Sequence, residues 1–391
     1  MGLLTFVAAP VAVAMAAIAA YLAALSIAAF VAPPPTPRPG PAARRFAVLV
    51  PAHDEATVIE RVLASLRAQT YPADRFDVFV VADNCTDHTA GLARAAGVAV
   101  YERDEPALRA KGHALRWLLE RVQARTGYDA YVIFDADSFV APDFLARMDA
   151  RLASGALVVQ GHYRTLNDDA SAVVALREAA LASLHYLRPL GRAAIGLSCG
   201  LKGNGMCFAA KVLDGQGWTS AGLAEDVELH LDLVRRGLRV EFAPEAVVRA
   251  DMPATLEAAR TQNVRWETGR LATVRRNALP LLRDGLTERD PVKFDAALEQ
   301  LIPPLSVALC AAMGSAVAGA LAGSLPVATI GLAAGGGLVF HVLAGLVAVR
   351  APGRVYRALA GAPWYIVWKL GLYARASVAP KGQAWIRTER S

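Results

Sequence analysis

No Asp, Glu, Lys or Arg occurs before Arg38, and none occurs from Leu301 to Val349. Charge is scarce overall, at 19% of the 391 residues, while apolar residues make up 55%. These values exclude a wholly soluble chain and an all-membrane one; one soluble domain plus a few membrane segments is expected. Cysteine is scarce as well: Cys85, Cys199, Cys207 and Cys310, with no CxxC spacing. That argues against structural zinc and a disulfide framework, and suits a soluble domain in a reducing cytosol. The glycine patterns GxxxxGK(S/T) and GxGxxG are missing, so a bound diphosphate must be held another way. The formal net charge is +6, yet no basic stripe carries interleaved aromatics. Nucleic acid is not an expected partner; the excess Lys and Arg near the apolar segments is assigned to lipid headgroups.

The first apolar stretch, Leu3 to Val31, exceeds the roughly 20 residues needed to cross a bilayer. A signal peptide would show a basic n-region and a short h-region, and this segment has neither. A transmembrane helix is expected over 1–32, then a Pro-rich linker over 33–44. Arg38, Arg44 and Arg45 place its C-terminal side in the cytoplasm. The second block has room for two spans, 301–323 and 327–349, turning at Gly323-Ser324-Leu325-Pro326. Their Gly, Ala and Ser content lets helices approach closely. His341, the only basic side chain there, is expected to pack rather than relay protons. Arg350, Arg354 and Arg357 return the chain to the cytoplasm. Residues 359–374 contain Lys369 and are short for a span. They read as an interfacial helix with Trp364, Tyr365 and Trp368 at headgroup depth, a third C-terminal span being the alternative.

Residues 45–252 read as alternating strands and helices. Phe46–Val50, Val78–Ala82 and Tyr131–Phe134 are short apolar runs. Val58, Ile59, Val62, Leu63 and Leu66 recur at helical spacing, as do Leu115, Leu118, Leu119 and Val122 within Lys111–Arg125. The expected fold class is α/β, with a mostly parallel, Rossmann-like sheet covered by helices on both faces. Ligands bind such sheets at the carboxyl ends of the strands. Three polar clusters fall there: His53-Asp54-Glu55, Asp83-Asn84 and Asp135-Ala136-Asp137. The last is a pair of carboxylates suited to a divalent cation that grips a diphosphate. Glu225-Asp226 follows about ninety residues later. Asp226 sits where a helix begins, whose dipole favours the ionised carboxylate. A plain first-turn carboxylate is the competing reading.

Together these residues resemble the inverting family 2 glycosyltransferases, in particular the membrane-integrated branch with cellulose, chitin, hyaluronan and poly-N-acetylglucosamine synthases. Val50-Pro51-Ala52-His53-Asp54-Glu55 is similar to the family's first-strand motif, with Asp54 where Asn is usual. Asp83 matches the acidic residue that contacts the nucleotide base, and Lys111-Gly112 the pair that opens the helix beneath the diphosphate. Asp135-Ala136-Asp137 matches DxD, Ala224-Glu225-Asp226 matches TED with Ala for Thr, and Gln262-Asn263-Val264-Arg265-Trp266 matches QxxRW. The resemblance implies a GT-A fold for 45–252 and interfacial amphipathic helices over 253–300. It implies a UDP-sugar donor held by Pro51, His53, Glu55, Asp83, Lys111, Asp135, Gln262, Arg265 and Trp266. Mg2+ or Mn2+ would sit on Asp137 and Asp135. Asp226 would be the general base, and Glu225 would orient the acceptor. Gly203-Asn204-Gly205, with Trp266, lies where relatives bind the acceptor sugar, a plain turn being the alternative. In the basic tail, 375–391, Trp385, Arg387, Thr388 and Arg390 are similar to a gating segment, or belong to a tail on the membrane surface.

The implied activity is a processive β-glycan synthase, with a single-addition glycolipid transferase (ceramide-like or polyprenyl acceptor) as the alternative. A non-catalytic membrane scaffold is a third reading, from another class. The implied setting is the bacterial inner (plasma) membrane with a cytoplasmic catalytic domain. Its partners would be the donor, a glycan or glycolipid acceptor, membrane lipids, and a homo-oligomer or export partner to complete a channel.

Overall fold

The structure, a computed structural model, describes residues 2–125, 127–167, 169–215, 217–220, 222 and 224–378; the side chains at positions 261, 265 and 373–378 also lie outside the description. Among the described residues, eight strands form one sheet: β1 (Phe46–Ala52), β2 (Phe76–Asp83), β3 (Ala99–Arg103), β4 (Ala130–Ile133), β5 (Ser138–Val140), β6 (Val158–Thr165), β7 (Met206–Ala209) and β8 (Val240–Ala250). Their spatial order is β3-β2-β1-β4-β7-β6-β8-β5. Side chains of β1 alternate between two cores. Ala47 and Leu49 meet Leu115, Leu118 and Val122 of the Lys111–Gln123 helix. Phe46, Val48 and Val50 meet Val62 and Leu63 of the Ile59–Arg67 helix. A strand buried on both faces reads as an unbroken apolar run, which is why β1, β2 and β4 stand out in the sequence.

The sheet is mixed. Pairing is parallel for β1/β2, β1/β4, β2/β3 and β6/β8, and antiparallel for β4/β7, β6/β7 and β5/β8. The reversal at β7 has a local cause. The Gly205 N–H donates to the carbonyl of Ile133 at 3.0 Å, so β7 starts where β4 ends and runs back along it. The loop before β7 is thereby held over the carboxyl ends of the parallel strands.

Among the described residues, two helices, Gly2–Val31 and Leu325–Ala348, are long and apolar enough to cross a membrane. The pair Pro291–Leu301 and Leu305–Leu321, bent by 73°, passes the same test taken together. Ala19, Leu22, Ala308, Ala312, Ala334 and Leu338 form their shared core. Ala29 and Ala344 reach into the core of the α/β domain, so the helices are seated directly on it. A second anchor is polar. Arg192 is fully buried, 2.8 Å from both Asp295 and Glu299, and donates to the Tyr21 hydroxyl at 2.9 Å. This ties the N-terminal helix, the Arg188–Ala194 helix and the Pro291–Leu301 helix together. His341 is packed inside, 2.8 Å from the Ser26 hydroxyl. The long Leu256–Thr287 helix packs against the C-terminal helix, Ala362–Val378.

Candidate active site

The strand ends supply the first residues. The His53 ring lies 2.6 Å from the Asp83 carbonyl, and the Glu55 N–H donates to the Thr89 hydroxyl at 2.8 Å. Asp83 ends β2 opposite Arg103 of β3, whose guanidinium donates to it at 2.5 Å. The Asn84 amide donates to the same carboxylate oxygen at 3.0 Å. Arg103 carries no pattern in the sequence; only the strand register reveals it.

Among the described residues, Asp54, Cys85 and Asp87 bring three ligand atoms within 4.8 Å of one another. Their donors are already committed. Asp54 accepts from the Thr86 N–H at 2.6 Å, and Asp87 from the N–H groups of Ala56 and Thr89 at 3.0 and 2.9 Å. Burial pushes the Cys85 thiol up to about 11, so it is protonated at neutral pH. The cluster holds two turns together.

The centre of the site is Lys111, the first residue of its helix. Its ammonium donates at 2.5 Å to both Asp135 Oδ1 and the Gly203 carbonyl, and lies 3.8 Å from Glu225 Oε1. Asp226 presses on the same turn: a Cβ built on Gly203 would come 3.3 Å from its Oδ2. Asp226 Oδ1 also accepts the Val227 N–H, at 2.9 Å, in the first turn of the Glu225–Arg235 helix. One ammonium thus faces three carboxylates. Burial raises Glu225 to about 7, with Lys111 opposing the shift and Asp226 adding to it. Burial raises Asp226 as well, again against Lys111. The helix dipole favours the ionised form of Asp226, and burial works against it. A dipole worth about half a charge does not offset burial beside other carboxylates. Burial pulls Lys111 down, but Asp135 and Glu225 outweigh it and hold the ammonium above its usual range.

Of the expected acceptor turn, only Gly203 faces the site. Asn204 is fully buried. Its side-chain oxygen accepts from the Asp135 N–H at 3.2 Å, its amide donates to the Ser138 hydroxyl at 2.9 Å, and its carbonyl accepts from Gln160 at 2.8 Å. Gly205 sits at φ +67°, and a Cβ there would lie 2.7 Å from Val248. Both residues hold the DxD strand end in place, and neither lines the cavity. On the long helix, Gln262 accepts from Arg177, whose guanidinium stands 5.8 Å above the Trp266 ring. The sequence reading missed Arg177, which no motif marks. The Arg265 side chain and the tail positions Trp385, Arg387, Thr388 and Arg390 lie outside the described residues.

One cavity of about 1260 Å3 joins these groups. Pro51, His53, Glu55, Asp83, Lys111, Asp135, Asp137, Gly203, Glu225, Asp226, Gln262 and Trp266 all line it. Its far wall is apolar, with Leu305, Leu309, Leu338, Val342 and Ile366. Catalytic-type side chains and apolar helices therefore share one enclosure.

A beta-monoglucosyldiacylglycerol synthase of Synechocystis is 28% identical over 231 residues, 57% of this chain and 47% of that protein. Glucomannan 4-beta-mannosyltransferase 2 of Arabidopsis thaliana is 25% identical over 249 residues, 61% of this chain and 46% of that protein. The chain spans about half the length of the curated relatives it matches. A mannosyltransferase from Pyrobaculum calidifontis, solved in complex with GDP-Man and Mn2+, superposes with a TM-score of 0.55 at 23% identity. That match covers 91% of this chain and 98% of the other. It shows a common GT-A-like mixed α/β fold. Residues 41–269, which hold the whole sheet and every group converging on Lys111, match the description glycosyltransferase like family 2, and the chain belongs to that family.

Proposed function

We propose that this chain transfers a sugar from a UDP-sugar, with inversion, to an acceptor presented at the membrane. The observation that carries the reading is Lys111, which gathers Asp135, Gly203 and Glu225 around one ammonium beside Asp226. Asp226 takes the proton of the acceptor hydroxyl as its oxygen attacks the anomeric carbon, and UDP leaves from the opposite side. An α-linked donor then yields a β-glycoside. Glu225 orients the acceptor, and Trp266, with Arg265 next to it, positions donor and sugar. Asp83 faces the base, its carboxylate steadied by Arg103.

The residues fit a divalent cation. Three carboxylates against one ammonium leave the cluster short of positive charge, and the Asp137 and Asp135 oxygens suit Mg2+ or Mn2+. When bound there, the ion would supply positive charge to the departing diphosphate. Lys111 contributes charge of the same sign from the protein.

The apolar wall of the cavity favours a lipid-borne acceptor over a growing polymer. Leu305, Leu309, Leu338 and Val342 suit hydrocarbon and give a glycan nothing to hydrogen-bond. Among the described residues, two or three candidate spans make a thin channel wall, so a processive synthase would call for a homo-oligomer or an export partner. Trp266, 38% exposed, is the observation that favours that second reading, as a sugar-stacking face. Product size separates the two: a single glycolipid species or a long β-glycan. We place the catalytic domain on the cytoplasmic side of a bacterial inner membrane, on the strength of Arg38, Arg44, Arg45 and Arg350 beside the apolar helices.

The test is UDP release by purified protein over a panel of nucleotide sugars. EDTA should abolish it. Asp226→Asn should lower turnover by about 100-fold or more while UDP binding persists. Full turnover in that variant would remove Asp226 from the chemistry.

A further inference from the structure

The cavity is polarised. Around Lys111 carboxylates are in excess, whereas the sector between the Ala172–Leu181, Leu256–Thr287 and Ala362–Val378 helices is cationic. There Arg270 lies 3.1 Å and Lys369 4.0 Å from the single carboxylate of Glu267, and all three residues line the cavity. Arg177, behind the lining residues Gln262 and Trp266, adds a third cation. It is 5% exposed, yet Nη1 has no hydrogen-bond partner and no carboxylate pairs with it among the described residues. Of the other equally buried arginines, Arg103, Arg151 and Arg192 hold one, with Asp83, Glu245 and Asp295, while Arg188 donates to His341. The ionisable groups bearing on Arg177 are the phenols of Tyr163 and Tyr365 and the ammonium of Lys369, none of them a carboxylate. Its Nη2 donates to Gln262. A buried guanidinium without a counter-charge is costly unless an anion completes it. The residues around it, Gln262, Trp266, Tyr163 and Tyr365, all line the cavity. The apolar arm of the same cavity runs past Leu359 and Ile366 to Leu338 and Val342.

We infer that the acceptor is a lipid with a phosphate head group, and that Arg177 is the seat of that phosphate, with the hydrocarbon in the apolar arm. The inference rests on the transferase reading and adds the chemical class of its acceptor. Guanidinium and phosphate match as a forked, charge-assisted pair. Trp266 and Gln262 fix the fork, so the anion arrives at a prepared site. Arg270 and Lys369 add long-range attraction for the head group.

The experiment titrates the full-length protein in detergent with farnesyl phosphate, farnesol, inorganic phosphate and UDP, following tryptophan fluorescence. Farnesyl phosphate should bind about tenfold or more tightly than either farnesol or inorganic phosphate, the scale of a charge-assisted hydrogen-bonded pair. Arg177→Gln should erase that advantage and leave UDP affinity unchanged, and Arg177→Lys should restore part of it. Without ligand, Arg177→Gln should melt no lower than the parent, because it removes an uncompensated charge; a purely structural arginine would lower the melting temperature. Equal binding of farnesol and farnesyl phosphate by the unaltered protein would overturn the proposal with no variant needed. So would inorganic phosphate matching farnesyl phosphate, which would make the ligand a free phosphate. Loss of UDP affinity in Arg177→Gln would also overturn it, by assigning the residue to the donor. None of these readings depends on turnover, so failure of Asp226→Asn to slow UDP release is a separate result.

Discussion

At the scale of single residues, the site is a problem in charge. Among the described residues, Lys111 is the only cation paired with Asp135 and Glu225. Lys111→Met should therefore raise Glu225 and Asp226 further, and the acid limb of the kcat/KM profile should move to higher pH. Glu225 gives a stability prediction with a definite sign. Its folded value, about 7, lies above the ordinary 4.5. The folded state thus holds the proton more tightly, and the associated stability is complete below pH 4.5 and lost as pH rises through about 7. In metal-free buffer the parent should lose melting temperature across that window relative to Glu225→Gln. Asp135, Asp137, Glu225 and Asp226 were legible in the sequence because each sits in a short local pattern. Arg103 and Arg177 were not, since their partners Asp83 and Gln262 lie 20 and 85 positions away. Asn204 misled for the opposite reason: a polar residue between two glycines reads as a ligand, and only burial shows that it braces Asp135 and Ser138.

At the scale of elements, three strands of the parallel half, β1, β2 and β4, were read, and β3 and the other half were not. β1, β2 and β4 are apolar runs buried on two faces. β7 has four residues and β5 three, too few for a periodicity to register. Their direction is set by the Gly205–Ile133 hydrogen bond and by pairing with β8. The docking of the N-terminal helix is likewise tertiary. Arg192→Met leaves Asp295 and Glu299 buried without their partner and should cost about 3–5 kcal/mol, seen as an early loss in denaturant unfolding. Gly191→Ala tests the apolar side of the same joint. A Cβ there would lie 2.2 Å from the Leu25 carbonyl oxygen, so the two helices must separate. Overpacking of that kind costs about 1–3 kcal/mol.

At the scale of the whole molecule, the informative feature is continuity between a charged cluster and an apolar arm. Val342→Trp, filling that arm, should raise KM for a lipid acceptor by about tenfold while UDP affinity holds, the pattern of lost ground-state binding at a distance from the chemistry. The sequence by itself determined the division into apolar and α/β segments, the strand ends that carry carboxylates, and the family. These are local properties: run length, spacing, and residue type next to a strand. Only the tertiary structure decided that Lys111, Gly203, Glu225 and Asp226 meet, that Asn204 turns inward, and that Arg177 is buried without a carboxylate. It also decided that one enclosure reaches from Asp135 to Val342. Those outcomes depend on which distant segments are brought to the same few ångströms, and on how far water is excluded once they are there. Neither is written in any window of the chain.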